Sequence, residues 1–398
     1  SDGIGDSKEA FIEDILNSGQ GRSNETLVRT LAEHVLENAY WLRDEVGIVY
    51  KNEQSWYGGH RVARTLWPVG DGPAYVNTLA QKAEELGVEV IYNTKAVEIM
   101  MNEGKAVGVK AISDGNILHY YGDSGVILAT GGFSANVEMR EAVNTQWPTL
   151  DASIPTTNSP AIVGDGIVMA QAVGANLIDM DAIQLYPINN PATGNYYFVD
   201  YARLIGNALL VNKDGKRFVD EKETREIISK AAIEQKDAMI YEIIDDKVAK
   251  AMKLEEDYAA EIARCLDQKV LIKGSLKECA EFFDIPYEAL AETITHYNEM
   301  VAQGVDTDFN RTDLIPIGDG PYLMFACIVS VHHTMGGIQI DEYAHVIDTQ
   351  GNRIPNLYAA GEVTGGIHGA NRLGSLSIPD TVCFGRIAAS TAYHERYN

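Results

Sequence analysis

The sequence predicts an α/β fold, α+β in part, and three features of the 398-residue chain support that prediction. A helix, four strand-like stretches and a second helix follow one another from Gly72 to Val173. Glycine is dense in two late runs, Val331–Gly337 (VHHTMGG) and Ala359–Gly374 (AAGEVTGGIHGANRLG). Glycine adopts φ > 0 and lets backbone approach a flat or phosphate-bearing ligand closely. From about Asp181 to Val331 the character changes to a mixed stretch up to Phe218, followed by acidic amphipathic helices to about Gln303.

Residues 7–46 read as helical, with Phe11, Ile12, Ile15 and Leu16, then Leu27, Leu31, Ala32, Val35 and Leu36, at helical spacing. Ser23-Asn24-Glu25 supplies a cap for the second helix. A loop broken by Gly58-Gly59-His60-Arg61 follows. Gly72–Leu86 reads as a helix and Val88–Tyr92 (VEVIY) as a strand. Ala96–Met101 and Ala106–Ile112 form a hairpin pair around Asn102-Glu103-Gly104. Gly125–Gly132 (GVILATGG) is an apolar strand running into a glycine turn, a shape that lets a nucleotide lie against backbone and equally serves as a tight strand-to-helix turn. Val163-Gly164-Asp165-Gly166 opens another helix, with Asp165 as N-cap and Gly174 as stop. Asp214-Gly215 centres a hairpin turn within Val211–Arg217. Ile338–Ile340 and Ala344–Asp348 read as strands, and Ile378–His394 as the closing helix. No internal repeat or low-complexity tract is present.

The chain has 57 acidic and 32 basic side chains, a formal charge of −25. Such a surface argues against nucleic acid and anionic membrane as partners. It leaves room for an anionic ligand, because a local cluster of arginine and histidine reverses the field inside a cleft. Cys265, Cys279, Cys327 and Cys383 show no CxxC or metal-ligand spacing, so buried thiols are expected and no metal site. No run reaches transmembrane length, and no signal peptide is visible. The first residue is Ser1 rather than Met, which is compatible with processing.

His332, His333 and Arg372 are the donors to place around a carboxylate. Together with the glycine runs, they resemble the flavoprotein subunit of the fumarate reductase family, which includes soluble fumarate reductases, urocanate reductase and ketosteroid dehydrogenases. In weaker form the likeness extends over nearly the whole chain. The resemblance implies an incomplete Rossmann-like FAD-binding domain at 1–181 and 332–398, with a substrate-capping domain at 182–331. The family holds the FAD pyrophosphate on an N-terminal strand–GxGxxG–helix unit. This chain has no G-x-G-x-x-G; Gly70-Asp71-Gly72 and Gly164-Asp165-Gly166 start the pattern without finishing it. A preceding segment of roughly 100 residues, enough for a βαβ unit and its loops, is therefore expected upstream of Ser1.

The same resemblance implies the chemistry. Flavin hydride goes to the β-carbon of an α,β-unsaturated acid, so the carboxylate must be held, the α-carbon protonated and the proton resupplied. His332 and Arg372 match the family's carboxylate clamp, and His333 lies against the flavin. Arg225 matches its proton-donating arginine, with Asp200 and Arg203 as the relay. From spacing alone, Arg225 and Asp200 read as surface charge pairs. Cofactor contacts are expected from Val97, Ala129, Thr130, Gly131, Gly132, Asp165, His333, Gly361, Glu362, Arg372, Ser377 and Ile378, with Glu362 holding ribityl hydroxyls. Substrate contacts are expected from Tyr57, Tyr186, Asp200, His332, Arg372 and Gly374.

Dicarboxylate-specific members carry His–Pro and Thr–Glu where this chain has Tyr186-Pro187 and Val199-Asp200. Each lost charge-assisted donor is worth about 1.5–3 kcal/mol to a second carboxylate. The substitutions look like those of urocanate reductases, with Tyr57 and Tyr186 stacking on an imidazole and Asp200 accepting its N–H. The expected substrate is an unsaturated carboxylate, most specifically urocanate going to imidazole propionate. Fumarate and hydroxycinnamates are the alternatives among enoates, and a non-catalytic ligand-binding remnant is the alternative of another class. The electron donor is expected on a domain or protein outside this chain.

Overall fold

The computed structural model describes residues 4–57, 59–197, 203 and 207–397. Gly58, Val199 and Asp200 lie outside the described residues. Two compact units emerge: Ser1–Gln146, Pro160–Ile183 and His333–Asn398 form the first, and Trp147–Ser159 with Gln184–His332 form the second.

In the first unit the helices Lys8–Ser18 and Glu25–Trp41 begin at side-chain caps. Ser7 Oγ accepts from Ala10 N at 3.0 Å, and Asn24 Oδ1 accepts from Thr26 N at 3.0 Å. Each satisfies an amide that the first helical turn leaves open. The periodic apolar residues Phe11, Ile12, Ile15, Leu27, Val28 and Leu31 are buried. Strands Lys95–Asn102, Lys105–Ser113 and Asn116–Tyr121 form an antiparallel meander. Its first turn has φ of 49° at Glu103 and 78° at Gly104, the two-residue turn whose twist matches a hairpin.

Strand Val126–Leu128 pairs in parallel with Arg353–Ala359, which pairs antiparallel with His345–Ile347. A third small sheet joins Gly337–Gln339 to Thr364–Gly365 in parallel and to Leu177–Ile178 antiparallel. The long helix Ser377–Tyr397 closes the chain.

Two expectations are corrected here. Val88–Tyr92 forms no strand, and Val88, Val90 and Tyr92 are exposed. Its β-branched residues supply propensity, but a strand needs a ladder partner, and none of the described residues provides one. Asp165 is the first residue of the helix Asp165–Ala172 rather than its cap; Gly164 holds the cap position in the left-handed region at φ 79°.

The second unit is built on a five-stranded sheet of Leu271–Gly274, Tyr322–Thr334, Met239–Asp245 and Leu209–Val211 in that order, with Ile183–Asn189 also on Tyr322–Thr334. The region that the sequence gives as acidic helices is therefore helix and strand interleaved. Tyr241 and Ile243 alternate onto one face and pack with Leu290, Ile294 and Tyr297 of helix Tyr287–Gln303. The 13-residue strand Tyr322–Thr334 carries the two histidines just before its end, and the chain passes from the second unit to the first between them. Among the described residues no helix is long and apolar enough to cross a membrane, and no group of His, Cys, Asp or Glu has metal-binding geometry. All four cysteines are buried and unbridged.

Candidate active site

In the first unit, the parallel strands Val126–Leu128 and Arg353–Ala359 end side by side, so the turn Ala129–Gly132 and the loop Ala360–Glu362 leave the same edge. Open α/β sheets take ligands at the carboxyl ends of their strands. Thr334 ties the two loops together. Its hydroxyl accepts from Phe133 N at 3.3 Å and donates to Glu362 Oε1 at 3.1 Å, and its amide donates to the same oxygen at 2.9 Å. A Cβ at Gly132 would lie 2.0 Å from Thr334 Oγ1 and 2.6 Å from Glu362 Oε1, so only glycine permits this approach. A Cβ at Gly166 would likewise meet Thr130 Oγ1 at 2.0 Å.

His333 Nδ1 lies 3.4 Å from Glu362 Oε2. Its ring meets His368 edge-on at 5.3 Å, and His368 Nε2 is 3.1 Å from Asp380 Oδ2. Burial pushes the Glu362 carboxyl above the usual range, against the Thr334 hydrogen bonds and the Arg372 charge, which lower it.

Arg372 is buried, with Nη1 donating to Leu373 O at 3.2 Å. Gly374 packs under Tyr57, where a Cβ would come within 2.8 Å of the tyrosine Cβ. Val97 lies on the strand Lys95–Asn102, and Gly361 has φ 78°. Ser377 and Ile378 open the last helix. All twelve expected cofactor residues, with Tyr57 and Gly374, belong to the first unit.

These residues fit a flavin. Thr130 Oγ1 is buried without a hydrogen-bond partner among the described residues. The Ala129–Gly132 turn offers backbone without bulky side chains, and Glu362 offers a carboxylate to hydroxyl groups.

The second unit holds a different cluster. Thr224 caps the helix Arg225–Ile233, so Arg225 projects from its first turn. Its guanidinium carbon sits 4.7 Å from the centre of the Tyr186 ring. The Tyr186 ring is 5.1 Å from His332 and 6.0 Å from Tyr196, and Tyr196 meets His332 edge-on at 6.1 Å. Thr157 Oγ1 lies 2.9 Å from His332 Nδ1. Asn158 Nδ2 donates to His332 O at 3.2 Å. Arg225, Tyr186 and His332 are thus brought together, with Arg225 stacked on the Tyr186 ring.

Arg203 is buried and donates to Glu221 O at 2.6 Å. The buried Glu221 carboxylate takes Arg217 through two bonds of 2.8 Å and Arg311 at 3.1 Å. Asp200, the other expected relay member, lies outside the described residues.

Sequence reasoning missed Thr157, Tyr196, His368, Asp380 and Glu221. His368 was within reach, since it stands inside the run GGIHGANRLG. Thr157 had no signal, because it meets His332 across 175 positions of chain.

A sequence profile described as FAD binding domain matches residues 1–378. A urocanate reductase of Eggerthella lenta is 39% identical over 397 residues, covering 98% of this chain and 65% of the relative. An NADH:acrylate oxidoreductase of Vibrio harveyi is 37% identical over 382 residues, covering 92% of this chain and 36% of the relative. Among solved structures, the open conformation of a flavocytochrome c3 fumarate reductase superposes with a TM-score of 0.83 at 34% identity, covering 100% of this chain and 69% of that one. The chain therefore spans 65% and 36% of the lengths of these two sequence relatives.

Proposed function

Because this chain belongs to the FAD binding domain family, we propose that it works as a flavin-dependent reductase of an α,β-unsaturated carboxylate, and that its substrate is urocanate, reduced to imidazole propionate. FAD, when bound, supplies the hydride to the substrate's β-carbon. Arg372 and His332 are assigned to the carboxylate, where guanidinium and imidazole make charge-assisted bonds. Arg225 is assigned the proton for the α-carbon, with Asp200 and Arg203 resupplying it. An arginine acid is workable because a carbanion-like α-carbon is a far stronger base than water, and a relay restores the cation at once.

The observation that supports this reading best is the cluster in the second unit. A guanidinium lies on the Tyr186 ring at 4.7 Å, beside a histidine whose Nδ1 is already engaged by Thr157. A phenol at 186 gives an aromatic acid a stacking surface and gives a second carboxylate no cation. The urocanate reductase relative, at 39% identity, points the same way. The test is steady-state reduction by the FAD-loaded protein with a low-potential dye as donor. Urocanate should turn over faster than fumarate or hydroxycinnamates; faster fumarate turnover sinks the substrate assignment.

A further inference from the structure

We propose that His60 is a positioning residue, whose neutral Nε2–H tautomer ties the loop bearing Tyr57 to the Gly374 carbonyl and so fixes the backbone that follows Arg372. This rests on the substrate roles given above to Tyr57 and Arg372.

His60 is 6% exposed and has two partners of fixed polarity. Its Nε2 lies 2.8 Å from Gly374 O, and a carbonyl only accepts, so Nε2 carries the proton. Its Nδ1 lies 3.0 Å from Arg64 Nη1, and a guanidinium only donates, so Nδ1 carries none. Arg64 cannot turn away freely. It meets Asp6 at 2.9 Å through both Nε and Nη2, and Asp14 Oδ2 at 2.7 Å through Nη1. Asp14 also accepts from Arg61 Nε at 2.7 Å and from Arg61 N at 3.1 Å.

Around this tie the two segments interlock. Trp56 Nε1 donates to His60 O at 2.7 Å, and His60 N donates to Tyr57 O at 3.1 Å. A Cβ on Gly59 would stand 2.7 Å from Leu373 Cδ1, and Arg372 Nη1 is itself held by Leu373 O. Releasing Gly374 O therefore loosens both the loop bearing Tyr57 and the turn that sets the Arg372 side chain.

The tie is sensitive to pH in one direction. Burial depresses the imidazole first and the Arg64 charge adds to it, while the Gly374 carbonyl, Asp14 and Asp6 oppose it. A depressed histidine contributes stability that is complete above its unfolded value and is lost as pH falls towards its folded one. Protonation would set an Nδ1–H against the Arg64 N–H groups, removing one bond and placing two cations side by side.

The experiment uses the full chain loaded with FAD and labelled with 15N in histidine. The His60 ring should give the neutral Nε2–H signature at neutral pH and keep it below the ordinary histidine range. His60→Leu should raise KM for urocanate about tenfold, the effect of one lost hydrogen bond, with little change in kcat. His60→Gln, which keeps a donor at the Nε2 position and cannot titrate, should hold KM near wild type and remove the rise in KM that wild type shows as pH falls below the ordinary histidine range. If His60→Leu does not fold, the comparison of wild type with His60→Gln across pH decides. An Nδ1–H or doubly protonated ring at neutral pH, an unchanged KM in folded His60→Leu, or identical pH profiles for wild type and His60→Gln would each overturn the proposal. If wild type fails to bind urocanate, the substrate reading has failed, and the ring signature still decides the tie.

Discussion

The turn at Gly132 in the first unit is set by backbone fit, whereas the Arg225 cluster in the second is set by contacts between side chains. Around Gly132 there is no room for a single added carbon, because Thr334 Oγ1 would lie 2.0 Å from it. Around Arg225 the positioning comes from Thr224 at the helix start and the Tyr186 ring at 4.7 Å. Steric fit of the first kind fails abruptly when a methyl is added. Stacking of the second kind is worth about 0.5–2 kcal/mol and should fail by degrees.

Adding a methyl tests the abrupt case. Gly132→Ala should destabilise the protein by about 1–3 kcal/mol through overpacking and release FAD, read by thermal denaturation and by flavin absorbance after gel filtration. An alanine variant that keeps full flavin would show that the two loops move apart easily. Tyr186→Leu tests the graded case. It removes the ring under Arg225 while keeping apolar bulk, so kcat for urocanate should fall roughly three- to thirtyfold, by the worth of one stacked contact, with flavin content unchanged. A collapse in stability instead would make Tyr186 a core residue like any other.

Thr157→Val should cost less. His332 loses the hydroxyl at Nδ1, and KM for urocanate should rise about fivefold, with Thr157→Ser restoring it. The smallest effect concerns Glu362. Because burial raises its carboxyl pKa, the native state keeps that proton more readily than the unfolded chain does. Its contribution to stability is therefore present at acid pH and is lost as pH rises from the ordinary glutamate range through the raised value. Glu362→Gln should flatten the dependence of Tm on pH across that interval, and a slope equal to wild type would place the raised proton elsewhere.

The same contrast explains what could be read from the sequence. Backbone fit leaves its mark in composition, so the runs VHHTMGG, AAGEVTGG and GVILATGG point to the loops that meet around Thr334 and Glu362. The hairpin turn at Glu103-Gly104 and the cap at Asn24 were legible for the same local reason. Side-chain clusters leave no such mark. Tyr186, Arg225 and His332 were reached through the family resemblance and Thr157 and Tyr196 were not, because the five are scattered along the chain and meet only once the strand Tyr322–Thr334 and its neighbours pair. That strand itself was obscure, because its partners Met239–Asp245 lie some eighty positions earlier and carry a buried Glu242 among apolar residues. Val88–Tyr92 failed in the opposite way, having the composition of a strand and no ladder.

The proton assignment is tested most directly by reducing the bound flavin under anaerobic conditions and following its reoxidation by urocanate in a stopped-flow instrument, with wild type against Arg225→Ala. Wild type should reoxidise on mixing. The variant should bind urocanate with similar affinity yet reoxidise slower by about 10²–10⁴-fold, the usual worth of a positioned acid. Reoxidation of Arg225→Ala at the wild-type rate would contradict the role given to this arginine.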